Sequence, residues 1–178
     1  MSLTARELAM GGLFGALALA LSALFHLVAL AGPIFLPMYL PVVALAFVGS
    51  ARVAALVGFL VPLVSGALTG MPPFAPPIAP LMSGELLVLA GVAGAVYHRF
   101  RIPAIVAILI GNLLSRAFLA MEVVVFGSLL RFHPPITPFI LGSFVTGLPG
   151  LILQLVAIPA LLRAVQPDMR KGIPHEDS

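Results

Sequence analysis

The stretch MPPFAPPIAPLMSGE, residues 71–85, decides how this chain is built. It sets Pro72, Pro73, Pro76, Pro77 and Pro80 between two apolar runs and ends on Glu85, inside the second run. Proline fixes φ and has no N–H to donate, so this stretch cannot be a helix interior. It is also too apolar for an ordinary solvated loop. It is expected to form a stiff cap at one end of a helix bundle, delivering Glu85 to a site beneath it.

The composition on either side says what kind of bundle. Of 178 residues, 61% are hydrophobic and 8% charged. The mean hydropathy is +1.20. A soluble domain carries about 25% charged residues, so the chain is an integral membrane protein. A spanning helix needs about 20 apolar residues, and the length accommodates six spans in one membrane domain. Barrel strands would alternate in polarity and open sheets cannot cross lipid. These runs do not alternate, so an all-α membrane protein is expected. There is no cysteine, which excludes disulfides, thiolate metal sites and thiol nucleophiles.

Working outward from the cap gives spans at about 8–31, 38–49, 53–68, 78–97, 103–130 and 138–162, then a polar tail at 163–178. Arg6, the first apolar run and Ala29-Leu30-Ala31 imitate a cleavable signal. The run is long for a signal, and further spans follow directly, so it is taken as the first span. The second span is short, and Pro62 should kink the third. Arg6, Arg52, Arg99, Arg101, Arg163, Arg170 and Lys171 fall on one side of this arrangement and Arg131 on the other. Positive residues mark the cytoplasmic side. Both termini are therefore cytoplasmic, and the proline-rich cap, the Pro33 loop and the His133 loop face outward. The basic excess sets orientation and calls for no nucleic-acid partner.

A charge inside a span costs about 2.5–3.5 kcal/mol on insertion scales, so each one needs a reason. The polar residues are few: Glu85, Arg116 and Glu122, with Asn112, Ser115 and Gln154. On a helical wheel Asn112, Ser115, Arg116 and Glu122 share an arc of about 120°, which must face the bundle. They lie beneath the cap in the outer half, with Asn112 and Gln154 deeper. Arg116 can pair with a carboxylate or stack on a ring. Glu85 and Glu122 can accept from hydroxyl, amine or ring N–H groups. Tyr39, Phe74 and Phe126 offer apolar walls. An internal Arg116–Glu85 or Arg116–Glu122 pair that only joins helices is the structural alternative. His26 and His133 stand singly and are assigned to interfaces; His98 belongs to the basic turn. In the first span Gly12, Ala16 and Ala20 recur every four residues. Such a stripe lets another helix approach closely in lipid, either within the bundle or from a separate protein.

No HExxH, GxSxG, P-loop or paired-aspartate motif occurs. The chain is not expected to be an enzyme or to hydrolyse ATP itself, and no cofactor or metal site is expected.

The run MYLPVVALAFVGSARVAALVGFLVPLVSGALTGMPPFAPPIAPLMSGEL, residues 38–86, resembles the substrate-binding (S) components of energy-coupling factor (ECF) vitamin transporters. The shared features are a proline after the first outer loop, a small-residue turn with one basic residue, Gly-x-x-x-Pro in the third span, and GMPP leading to Glu-Leu. GNLLSRAFLAM, residues 111–121, resembles the arginine-bearing fifth span of that group. The resemblance implies a six-helix protein of a prokaryotic plasma membrane that binds a vitamin or related micronutrient in its outer half. It implies association with a transmembrane coupling subunit and two cytoplasmic ATPase subunits. It also implies that Gly12, Ala16 and Ala20 dock the coupling subunit, and that the S component topples to carry its ligand inward. The substrate-binding residues are then Tyr39, Glu85, Asn112, Arg116, Glu122 and Gln154. Tyr39 stands where many relatives have His, and Ser115 replaces a common Gly, so ligand identity does not carry over. Pantothenate, niacin, pyridoxine and hydroxymethylpyrimidine all suit the chemistry. Without tryptophan, flavins and folates suit it less. A solitary small-solute transporter or channel without an ATPase partner would use the same polar face.

Overall fold

The computed structural model describes residues 3–26, 37–130 and 136–165, with side chains described throughout except at 25–26, 127–141, 143–144 and 146. The described residues form six helices: α1 Ala5–His26, α2 Tyr39–Val48, α3 Ala51–Thr69, α4 Ile78–Phe100, α5 Ala104–Leu130 and α6 Ile136–Val165. The protein is an all-α membrane protein. Five of the helices are long and apolar enough to cross a membrane, and α2 is the shorter sixth. Helices α2 to α6 begin and end within about three residues of the expected spans, whereas α1 begins earlier than expected and residues 27–31 of the expected first span lie outside the described residues. The Pro33 loop, His133, Arg131 and the end of the tail with Arg170 and Lys171 lie outside the described residues.

Local sequence explains the ends. Thr4 and Glu7 form a capping box at α1: Thr4 N–H donates to Glu7 Oε2 at 3.0 Å and Glu7 N–H to Thr4 Oγ1 at 3.2 Å. Ser50 caps α3 by accepting from Val53 N–H at 3.4 Å. Gly70 closes α3 in the left-handed region at φ 75°, its N–H returning to Gly66 O.

α2 sits at the centre. Its ten residues rise only about 15 Å, and Tyr39, Pro41, Val42, Val43, Ala44, Leu45, Ala46 and Phe47 are all buried. It packs against α1, α3, α4 and α6. A helix apolar all round belongs inside. Around it, α3 packs on α4 and α4 on α5, through glycines that let backbones touch. A Cβ at Gly58 would lie 2.8 Å from the Leu86 carbonyl oxygen, and one at Gly111 2.9 Å from that of Leu89.

Successive helices alternate in direction, so Arg6, Arg52, Arg99, Arg101 and Arg163 gather at one end. Hydrogen bonds from Thr4 and Ser50, with the nearby charge of Arg52, hold the Glu7 carboxyl below its usual range there, and His98 Nε2 meets Ala46 O at 2.9 Å. His98 is therefore more than a member of a basic turn, because it ties α4 to the end of α2. This is the end that the positive-inside rule assigns to the cytoplasm.

The proline segment lies at the opposite end and is tied chiefly to α3. Ser65 Oγ and Thr69 Oγ1 donate to Met71 O at 2.7 and 3.1 Å. Ala79 N–H donates to Pro73 O at 3.0 Å, joining the segment to the start of α4. Phe74 rests on Gly66 of α3 with its ring half exposed. The expectation that Phe74 walls the polar site is corrected by this packing.

Candidate functional site

α4 begins at Ile78 because the prolines end there, and two turns in it brings Glu85 into the bundle. Glu85 is 4% exposed and both its oxygens are engaged. Arg116 Nη1 of α5 lies 2.8 Å from Glu85 Oε1. Tyr39 Oη, from the first residue of α2, donates to Glu85 Oε2 at 3.0 Å. One carboxylate thus joins α2, α4 and α5. Of the two internal pairs open to Arg116, the fold forms the one with Glu85.

One turn nearer the basic end, Asn112 and Gln154 continue the polar layer. Asn112 Nδ2 donates to Ile108 O at 2.9 Å and approaches Gln154 Oε1 of α6 at 3.5 Å. Gln154 is 2% exposed. Ser115 Oγ is turned back onto Asn112 O at 3.0 Å. The wheel places these residues on one face, and the structure agrees: Ser115 and Arg116 are buried, whereas Leu113 and Leu114 point outward.

Glu122 lies on the α4 side of α5, against Gly84. A Cβ at Gly84 would collide with the Glu122 carboxylate, so only a glycine leaves room for it there. Glu122 Oε2 is buried and takes no hydrogen bond among the described residues. Leu81, Leu119 and Val123, with Phe126 packed on them, form an apolar cluster on the same stretch of α4 and α5. Phe126, expected from sequence as a wall of the polar site, packs on this apolar cluster. Gly84 was not singled out by sequence, although its place beside Glu85 was a usable signal: neighbouring residues on a helix point about 100° apart.

A cleft of about 150 Å³ opens between α5 and α6. Leu109, Leu113, Leu148 and Leu151 make it apolar, Gly147 makes room, and Asn112 and Arg116 supply its polar edge. A cavity of this order holds about one benzene-sized ring. The six expected substrate-binding residues thus divide into three contacts: Tyr39–Glu85–Arg116, Asn112–Gln154, and Glu122 against Gly84. Among the described residues, no group of three or more His, Cys, Asp or Glu is placed to hold a metal ion.

The stripe on α1 resolves clearly. Gly11 and Gly15 face Val53 and Val57 of α3, and Ala18 is buried. Gly12, Ala16 and Ala20 are exposed, and nothing lies within 4 Å of where a Gly12 Cβ would be. α1 packs its other face on α2 and α3. Among the described residues, the stripe takes no part in packing within the bundle. Comparison with family models, curated proteins and solved structures returned no match.

Proposed function

We propose that this chain is a membrane-embedded binding subunit for a small vitamin-like solute, of the ECF S-component kind. It hands its ligand to a transmembrane coupling subunit driven by two ATPase subunits. The observation that carries this is the buried polar layer, Tyr39, Glu85, Arg116, Asn112 and Gln154, drawn from four helices of an otherwise apolar bundle. Intramembrane ionisable groups are expensive and mark ligand or ion sites by default. The cleft at Arg116 and Asn112 gives a ring-sized body a place beside that layer. The exposed Gly12, Ala16, Ala20 stripe supports a separate helical partner, as does the resemblance of residues 38–86 and 111–121 to S components. The test is uptake in cells that express this chain with and without an ECF coupling module. Uptake of a vitamin-sized solute only with the module is expected. Equal uptake without it would replace this reading by a solitary transporter.

A further inference from the structure

The cleft between α5 and α6 carries information about what it can hold. Leu109, Leu113, Leu148 and Leu151 wall it, and its volume of about 150 Å³ suits one ring. Its polar edge is narrow: Asn112 and Arg116, one helical turn apart on α5. Arg116 brings no uncompensated charge to that edge, because Glu85 Oε1 sits 2.8 Å from its Nη1. Asn112 is oriented by what it donates. Its Nδ2 is held on Ile108 O at 2.9 Å and approaches Gln154 Oε1 at 3.5 Å. A backbone carbonyl can only accept, so the Asn112 amide cannot be reversed, and its oxygen is the half left to serve the cleft. No bond to Asn112 Oδ1 occurs among the described residues. We infer that the cleft receives an uncharged single-ring compound bearing an N–H or O–H that donates to Asn112 Oδ1. This rests on the binding-subunit reading above and names the ligand class of its site. A carboxylate would carry a further charge into a layer where Arg116 is already offset by Glu85, and a lone charge within a span is expensive. A ring with acceptors only would face the Asn112 oxygen without giving it a donor.

The experiment compares three compounds of one shape: benzamide, which donates and accepts, acetophenone, which only accepts, and benzoate, which is charged. Each is titrated into wild-type protein in lipid nanodiscs, and binding is read by calorimetry. Benzamide should bind about fivefold more tightly than acetophenone, the worth of one neutral hydrogen bond, and benzoate should not bind. Asn112→Ala should erase the difference between benzamide and acetophenone, which a loss of packing alone would not do. Leu113 is 66% exposed at the mouth of the cleft, so Leu113→Trp fills the cleft without disturbing the core. It should abolish binding of both compounds, and it keeps the test open should N112A fold poorly. Preferred binding of benzoate, or benzamide binding unchanged in both variants, overturns the inference. Binding of none of the three overturns it too, and a phospholipid retained by the purified protein would then mark the cleft as a lipid seat. Module-dependent uptake separates the two readings. Its persistence alongside any of these failures leaves the binding subunit standing, and its absence from wild-type cells removes the binding subunit as well.

Discussion

Replacing Glu85 by Gln should destabilise the protein far more than the exchange of one atom suggests. The Arg116 guanidinium, buried at 9% exposure, would lose the carboxylate that now sits 2.8 Å away. Breaking a buried pair from one side costs about 3–5 kcal/mol. At about 2–4 °C per kcal/mol for a chain of this size, a loss of about 3 kcal/mol lowers the melting temperature by about 6–12 °C. Arg116→Gln should cost less. A carboxyl left alone can shed its charge by binding a proton, whereas a guanidinium cannot. Glu85→Gln with Arg116→Gln removes both charges and leaves two amides able to bond. The double variant should therefore be more stable than E85Q alone, with a coupling energy of about 2–3 kcal/mol. The chain has no tryptophan, so stability is best followed as the monodisperse fraction on size exclusion after heating. Costs that simply add, or an E85Q variant that melts with the wild type, would refute the ion-pair account.

The glycines separate packing from partner contact. Gly58→Ala should destabilise by about 1–3 kcal/mol, because its Cβ meets the Leu86 backbone oxygen at 2.8 Å. Gly12→Ala should leave the melting temperature unchanged, since nothing lies within 4 Å of the new methyl; a large fall there would show that α1 packs differently. Tryptophan at Ala16 and Ala20, both exposed, should leave ligand binding intact and abolish co-purification with a coupling subunit. Loss of ligand binding instead would mean that the stripe serves the bundle.

Much of this architecture was legible in sequence because breakers are sparse and unambiguous. The prolines at 72–80, Ser50 and Gly70 bound α3 and α4 within a few residues, and the length of the apolar run marked α2 as short. The candidate site was legible as a list, since so few ionisable residues occur within the spans. What the list could not give was pairing. Arg116 meets Glu85 where α4 packs closely on α5, whereas Glu122, six residues along the same helix, lies about 9 Å further along its axis. Whether the Gly12 stripe faced in or out was equally hidden. In lipid the outside of a helix is as apolar as its inside, so periodicity finds a face without saying where it looks. Phe74 was misplaced for a related reason. Proximity in sequence to the cap and to Glu85 suggested the site, but Gly66 offered its ring a seat on α3.

Native mass spectrometry of the gently purified protein tests the central claim most directly. A one-to-one adduct of vitamin-like mass on the wild type, lost in Leu113→Trp, is the result expected of a binding subunit with the cleft beside this polar layer as its site. An adduct equally retained by the Tyr39 and Asn112 alanine variants would place the ligand elsewhere. A folded protein that carries no small molecule and takes up none from a vitamin mixture would contradict the claim.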